Sequence, residues 1–350
     1  MSTSVSAQKK KLKVGVVGLT HTHVHWILGR PDRGDIEIVG IVEPNHDLAE
    51  RYMKQHGLSI SLVYSDLEEM LAAVKPEAVT AFGTIYEHLE VVKICAPKGI
   101  HVMVEKPLAV SLKHAIAMKK LAEQHKIHLL TNYETTWYAT NHKSFEMVKA
   151  DKIGPLRKIV VHDGHKGPKK IGVNKEFLDW LADPEQNGGG AITDFGCYGA
   201  NLSTSLMQGV RPISVTAVTQ QFQPEDYPKV DDEATIIVTY PKTQTIIQAS
   251  WNWPIARKDI EIYGETGFIV NDDRSAMRYQ LSEEDEMEKL TLAERNDPLD
   301  DPFAFFRAVI YGEIEMEKYD LSSLENNMIV MEILDAAVKS AKSGKTVRLK

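Results

Sequence analysis

The sequence predicts an α/β fold: an N-terminal doubly wound parallel sheet, then an α+β domain on a large, mostly antiparallel open sheet. Three observations predict it. Short apolar runs alternate with helical stretches through the first third of the chain, as parallel strands covered on both faces require. Near residue 131 the alternation stops, and β-rich runs follow one another without long helices between them. The length, 350 residues, suits two domains at about 150 residues each.

The elements follow in order. Leu12 to Gly18 (LKVGVVG), Ile36 to Glu43 (IEIVGIVE), Ala78 to Phe82, Ile100 to Val104 and Ile127 to Leu130 read as buried strands, with Ile60 to Tyr64 a weaker one. Between them, Asp47 to His56 has helix-forming composition, Asp66 to Val74 starts at an Asp cap, Tyr86 to Lys98 stops at Pro97 and Gly99, and Ser111 to His125 starts at a Ser cap. Right-handed crossovers make such a series doubly wound. A helix (Trp137 to Ala150) and a strand (Leu156 to His162) come next, then a Gly/Pro/Asn-rich loop to Gly190 and a helix from Asp194 to Met207. Ile213 to Phe222, Ala234 to Tyr240, Thr245 to Trp251, Lys258 to Tyr263 and Phe268 to Asn271 read as consecutive antiparallel strands. Glu283 to Glu288 reads as a solvated loop, and helices from Asp301 to Tyr311 and Leu321 to Ser343 close the chain. The expected division is residues 1–131 and 132–350, with the last helix free to pack back on the first domain.

Composition narrows the function. There are 41 basic against 49 acidic residues, a net charge of −8, and Lys9-Lys10-Lys11 is too short for a nucleic-acid footprint. Nucleic acid and anionic membranes are therefore not expected partners. No apolar run reaches the roughly 18 residues needed to span a bilayer. The polar N-terminus has no apolar leader core, and the two isolated thiols, Cys95 and Cys197, suit a reducing compartment, so a cytoplasmic location is expected.

The first strand runs into Gly18-Leu19-Thr20-His21-Thr22-His23, where a dinucleotide fingerprint would read G-x-G-x-x-G. Only the first glycine survives, but helix amides there could still receive a pyrophosphate and the Thr20 hydroxyl could donate to it. An ordinary tight turn is the alternative. Glu43, at the end of the second strand, suits the adenosine ribose hydroxyls and would repel a 2′-phosphate, favouring NAD over NADP; it could equally be a plain strand-terminal acid. His21, His23 and His25 form H-x-H-x-H, and a helix would put His21 and His25 on one face. No neighbouring Cys, Asp or Glu completes a metal site, so none is expected. Ser343-Gly344-Lys345-Thr346 fails as a phosphate loop because Lys339 stands where its first glycine belongs. Glu105-Lys106-Pro107 lies just past the carboxyl end of the fifth strand, where open α/β sheets bind ligands. A lysine pinned there by proline can stabilise a developing oxyanion, although a solvated surface lysine fits the same residues.

These residues resemble the Gfo/Idh/MocA oxidoreductase family. The resemblance runs through Val14-Gly15-Val16-Val17-Gly18, Glu43, Tyr64-Ser65-Asp66, Thr84 with His88, and Gly99 to Ala109 around Glu105-Lys106-Pro107. It continues through Gly188-Gly189-Gly190-Ala191-Ile192-Thr193-Asp194-Phe195-Gly196-Cys197-Tyr198-Gly199. The resemblance implies a Rossmann domain holding NAD, with NADP possible, through Gly18, Thr20, His21, Thr22, Glu43, Thr84, His88, Glu105, Lys106 and Asn132. Tyr198 stands where many relatives carry His, which resembles the branch that includes glucose–fructose oxidoreductase and the xylose and dihydrodiol dehydrogenases. That branch implies Tyr198 as general acid/base and Lys106 as the cation lowering its pKa, with Asp194 orienting substrate or Lys106. Asp194 and Tyr198, four residues apart, would share a helix face. Tyr133, Trp137, His162 and His165 are expected, with Asp194 and Tyr198, to line a pocket for a carbohydrate-like substrate.

The expected activity is hydride transfer between nicotinamide and a secondary alcohol of a sugar, polyol or derivative. A redox-neutral, NAD-retaining glycosidase or epimerase-like enzyme and a non-catalytic sugar or nucleotide sensor are the alternatives. By the same resemblance the large sheet implies a homodimer or homotetramer.

Overall fold

The computed structural model describes residues 10–349; Lys9 and the rest of the polar N-terminal stretch lie outside the described residues. Six strands, β1 (Leu12–Val17), β2 (Ile36–Val42), β3 (Val63–Tyr64), β4 (Ala78–Ala81), β5 (His101–Glu105) and β6 (Leu129–Asn132), form one parallel sheet ordered β3-β2-β1-β4-β5-β6. The order reverses between β1 and β4, so a crevice opens beyond their carboxyl ends. β4 and β6 are buried along their whole length, as strands with helices on both faces must be. The connecting helices start where the sequence supplies an acceptor. Asn45, Asp66 and Ser111 each take a backbone N–H of the first turn, a cap worth about 1 kcal/mol.

The second sheet has nine strands ordered β14-β13-β12-β11-β7-β10-β9-β8-β15. They are β7 (Lys158–Gly164), β8 (Ser214–Gln220), β9 (Glu233–Thr239), β10 (Gln244–Ser250), β11 (Arg257–Tyr263), β12 (Phe268–Asn271), β13 (Ala276–Gln280), β14 (Glu288–Thr291) and β15 (Val347–Arg348). Every pairing is antiparallel except β7 with β10. Ile159, Val161, Ile260 and Ile262 point to one face and pack against Leu202 and Leu206 of the helix Gly196–Leu206. The last helix, Leu324–Ser343, lies on β8 and also touches the helix Leu112–His125, tying the two sheets together. The helix Pro302–Ile310 sends Phe303 and Phe306 into the core beside Leu12 and Val14, so a late segment completes the first domain.

The structure corrects several local expectations. The segment expected as loop up to Gly190 carries three short helices, Pro168–Ile171, Lys175–Leu181 and Pro184–Asn187, the first and last stopping at Gly172 and Gly188 in the left-handed conformation. The helix expected from Asp194 breaks at Phe195 into Ala191–Asp194 and Gly196–Leu206. The Asp194 carbonyl is drawn to the Lys106 ammonium (3.3 Å) and Cys197 thiol (3.2 Å), and the Tyr198 N–H bonds Phe195 instead. Ile60 to Tyr64 keeps only β3 as strand, its first residues forming a single helical turn. β13, β14 and β15 carry too few apolar residues for alternation to show. Cys95 and Cys197 are both buried and free.

Candidate active site

At the carboxyl edge of the first sheet β1 ends at Gly18 with φ +78°, and a Cβ there would lie 2.5 Å from the Gly83 nitrogen. Both the backbone conformation and the close approach of the loop after β4 require glycine. The next loop is stitched down: the His21 N–H donates to Phe82 O (2.8 Å), and the Glu43 carboxylate accepts from the N–H groups of Leu19 (2.9 Å) and Asn45 (2.8 Å). Burial raises the Glu43 pKa against these bonds. Beside Gly18 lies a cavity of about 230 Å³ lined by Pro44, Ser65, Asp66, Thr84, Glu87 and His88. Thr84 and Glu87 cap each other's backbone there. His88 is fully buried, bonds Leu108 O through Nδ1, and has its pKa pulled down to about 4 by burial. A glycine cradle, a cavity at the switch point and a buried, unpartnered His21 Nε2 fit a dinucleotide laid across the sheet.

The far end of this edge is charged and closed. Lys106, just past β5, is 5% exposed and forms an ion pair with Asp194. Burial would pull its pKa down, but Asp194 raises it above its ordinary value; burial likewise opposes Asp194, and Lys106 holds it low. Trp251 Nε1 donates to the other Asp194 oxygen (3.1 Å). Tyr198 shows Lys106 its ring face, with Nζ 5.2 Å from the centroid, and Lys258 of β11 stands 4.7 Å from the same centroid. Lys258 pairs with Glu134, which also accepts from the Tyr138 hydroxyl at 2.7 Å. Asp163 of β7 is 1% exposed, and among the described residues neither carboxylate oxygen has a hydrogen-bond partner. Burial pushes its pKa well up, with Glu134 and Asp194 adding and Lys258 opposing. A cavity of about 590 Å³, lined by Glu134, Tyr138, His165, Arg257 and Lys258, reaches this cluster from outside.

Two family models cover most of the chain: the oxidoreductase family with an NAD-binding Rossmann fold over residues 12–133, and the GFO/IDH/MocA C-terminal domain over residues 142–270. The chain belongs to the Gfo/Idh/MocA oxidoreductase family. Residues 12–133 form its NAD-binding Rossmann domain. It is 26% identical over 240 residues to the trans-1,2-dihydrobenzene-1,2-diol dehydrogenase of Xenopus tropicalis, covering 67% of each chain. Its fold matches an aldose-aldose oxidoreductase from Caulobacter crescentus solved with glycerol (TM-score 0.80, 18% identity, 97% of this chain and 100% of that one). It also matches an inositol dehydrogenase homologue from Azotobacter vinelandii solved with NAD+ (TM-score 0.83, 15% identity, 97% and 98% covered). Among the described residues no helix is long and apolar enough to cross a membrane.

Within this family frame the residues singled out from the sequence fall into three places. Gly18, Thr20, His21, Thr22, Glu43, Thr84 and His88 lie along the dinucleotide edge, but Thr20 Oγ1 accepts from Trp180 Nε1 (3.0 Å) rather than standing free. Glu105, Lys106, Asn132, Tyr133, Asp194 and Tyr198 converge at the charged end: Asn132 Nδ2 donates to Glu105 (2.8 Å), and Tyr133 packs edge-on to Tyr198 at 5.4 Å. Two residues do not join them. Trp137 donates to Asn132 Oδ1 (3.0 Å) and packs on Phe305, one layer behind. His162 alternates with Val161 and Asp163 along β7, so it lies on the opposite face of the sheet, bonded to Asp259 at 3.0 Å.

Two electrostatic expectations also change. Tyr198 has its pKa raised well above the ordinary phenol value by burial and by Glu134 and Asp163, not lowered by Lys106. The H-x-H-x-H histidines do not pair as His21 with His25. His23 Nδ1 meets Glu105 Oε2 at 2.9 Å with His21 Nε2 at 3.9 Å, while His25 bonds His56 at 2.8 Å. Glu134, Asp163 and Lys258 are not among the site residues expected from the sequence, although Glu134 and Asp163 neighbour the expected Tyr133 and His162. For Asp163 and Lys258 the signal is a charge in the inward register of an apolar strand face: Asp163 follows Ile159 and Val161, and Lys258 precedes Ile260 and Ile262; Glu134, in the helical turn Glu134–Trp137, carries no such signal.

Proposed function

We propose that the protein is an NAD-dependent oxidoreductase that moves a hydride between nicotinamide and a secondary alcohol of a sugar, polyol or related compound. The observation that carries this reading is the buried Lys106–Asp194 pair at the carboxyl edge of β5, beside Tyr198 and next to the cavity at Lys258. Bound NAD supplies or accepts the hydride. Lys106, kept charged by Asp194, donates to the substrate oxygen and stabilises negative charge that develops there. The raised Tyr198 pKa keeps the phenol protonated near neutrality, which suits proton donation to that oxygen in the reducing direction. Asp163, with both oxygens free, accepts from a neighbouring substrate hydroxyl. Asp66, Glu87 and Glu90 line the adenosine cavity with Glu43 on the loop beside it, and no lysine or arginine among the described residues lines that cavity, which favours NAD over NADP.

One observation favours a second reading. The Trp180 indole bonds Thr20 and the Phe177 ring packs 4.7 Å from His21, so this segment covers the loop that would hold the pyrophosphate and slows cofactor exchange. A retained NAD would suit redox-neutral chemistry through transient oxidation. Denaturing the purified protein and identifying the released nucleotide, then following nicotinamide absorbance over a sugar and polyol panel, separates the two. Net NADH formation or consumption supports the dehydrogenase, and product formation without it supports the redox-neutral enzyme. No nucleotide binding and no turnover would reject both.

The outer face of the nine-stranded sheet carries Val160, Ile237 and Ile246, which the described residues leave only half-buried. This supports pairing of two copies through that face. A mass of one chain by light scattering would reject it.

A further inference from the structure

The helical turn Glu134–Trp137 separates two cavities. Glu134 and Tyr138 line the one that reaches Lys258. Thr136 and Trp137 line another, of about 320 Å³, bounded by the helix Ala139–Lys149, the end of the helix Gly196–Leu206 and the segments around Arg295 and Asp320. It shares no lining residue with the cavity beside Gly18 or with the one at Lys258. Its volume suits a small ligand. Its floor is apolar: Trp137, Phe145, Leu206, Phe305 and Met316.

Arg295 is the unusual group in this cavity. It is half-buried, and among the described residues every other arginine except the exposed Arg348 forms an ion pair. Arg295 Nη1 donates to Leu299 O (3.1 Å) and lies 2.8 Å from His142 Nε2, which is itself 2.7 Å from Thr136 O. A carbonyl only accepts and a guanidinium only donates, so one ring nitrogen cannot serve both. The Thr136 hydroxyl is buried at the same wall with no partner among the described residues. Asp320 is the counterpart. Its Oδ1 accepts the Ser322 N–H (2.8 Å), and no cation among the described residues forms an ion pair with it. Burial raises its pKa, and Arg295, beyond ion-pair reach, only partly opposes this.

Two opposite charges that line one cavity without meeting leave a place for a molecule that carries both. The rest of the wall narrows the choice. Glu146, Glu315, Glu317 and Asp320 outnumber Lys149 and Arg295, and Lys149 is taken by Glu317 (2.9 Å), so a doubly charged phosphate is repelled. A plain carboxylate leaves Asp320 without a cation, and a plain amine leaves Arg295 without an anion. A zwitterion satisfies both.

We propose that this cavity binds a free amino acid with an apolar side chain, its carboxylate on Arg295, its ammonium on Asp320 and its side chain over Trp137 and Phe305. L-phenylalanine, 3-phenylpropionate (no ammonium) and phenethylamine (no carboxylate) are titrated against the full-length protein by calorimetry and ligand-observed NMR, with and without NAD+. L-phenylalanine should bind one to one with a Kd below about 1 mM, and each truncated analogue at least about tenfold more weakly. Arg295→Gln should cost L-phenylalanine about tenfold and leave phenethylamine unchanged; Asp320→Asn should cost L-phenylalanine as much and leave 3-phenylpropionate unchanged. An unchanged analogue also shows that the variant is folded, and the analogue series on the wild-type protein decides the question where a variant fails to fold. Binding of 3-phenylpropionate as tight as that of L-phenylalanine would take Asp320 out of the site, and equally tight phenethylamine would take Arg295 out. Displacement by NAD+ would move the ligand to the cofactor edge, and tighter binding of inorganic phosphate would make Arg295 a phosphate site. Each of these overturns the proposal, as does absence of binding by both L-phenylalanine and L-leucine at about 10 mM.

Discussion

The two ends of the Rossmann edge are built on opposite terms. At the adenosine end the polar groups are spent on the chain itself: Glu43 on the amides of Leu19 and Asn45, Thr84 and Glu87 on each other's backbone, and an open cavity of about 230 Å³ remains. At the charged end the charges are spent on one another, Lys106 with Asp194 and Lys258 with Glu134, while neither Asp163 oxygen has a partner among the described residues. The first arrangement is a preformed receptacle. The second stores unsatisfied polarity in a dry place, which is costly unless a ligand completes it. In the function proposed above, recognition of the common part of the cofactor is thus separated from the part of the site assigned to chemistry and substrate choice.

The sharpest way to break that contrast is to remove the central cation. Lys106→Met should lower turnover by about 10²- to 10³-fold while NAD+ affinity changes only a few-fold. It also strands Asp194 in the interior, so stability should fall by about 3–5 kcal/mol. Adding Asp194→Asn should restore much of the stability but not the turnover. Steady-state kinetics, nucleotide titration and urea unfolding read the three quantities separately; equal losses in turnover and NAD+ affinity would place Lys106 in the receptacle instead.

The ends should also respond to pH in opposite ways. His88, at the receptacle, is held neutral with a pKa of about 4. A histidine depressed in this way stabilises the fold above its ordinary pKa of about 6.5, and the contribution is lost as pH falls toward the folded value. His88→Asn, which keeps a donor for Leu108 O, should therefore blunt acid destabilisation between pH 6.5 and 4 by a few kcal/mol. Asp163, at the catalytic end, has a raised pKa, so its contribution is present at low pH and lost as pH rises through the folded value. Asp163→Asn should stabilise the protein at neutral and higher pH by about 1 kcal/mol and lower turnover. Urea midpoints across pH 4–9 check both. A stabilising effect of Asp163→Asn that grows toward acid would mean that the carboxylate is compensated.

The receptacle is more legible in the sequence than the catalytic end, and the reason is periodicity. Apolar runs place β1, β2, β4, β5 and β6 within a residue or two, and Asp66 and Ser111 announce their helices as caps. Those signals are local. The catalytic cluster gathers residues far apart in the chain, such as Lys106, Asp163, Tyr198 and Lys258, and only the strand register of the second sheet brings them together. Reading His162 rather than Asp163 into the pocket is a one-residue error in a structure of period two, which moves a side chain to the other face. The histidines of H-x-H-x-H mislead for a related reason. A helical turn begins at Thr22, after His21, so helical spacing does not apply to His21, and the carboxylate they meet comes from the end of β5.

The smallest expected effect concerns the receptacle, and it tests whether cofactor choice rests on one residue or on a field. Glu43→Gln removes a charge near the cavity and keeps a carbonyl oxygen for the Leu19 N–H, at the expense of the bond from the Asn45 N–H. If Glu43 alone rejected a 2′-phosphate, discrimination between NAD and NADP would collapse. Asp66, Glu87 and Glu90 still line the cavity in the variant, and their potentials overlap within the roughly 8 Å screening length of physiological salt. The expected outcome is a several-fold drop in the NAD to NADP ratio of kcat/KM, with the preference for NAD retained. Raising the salt concentration should narrow the ratio further in both proteins, because a shared field is screened.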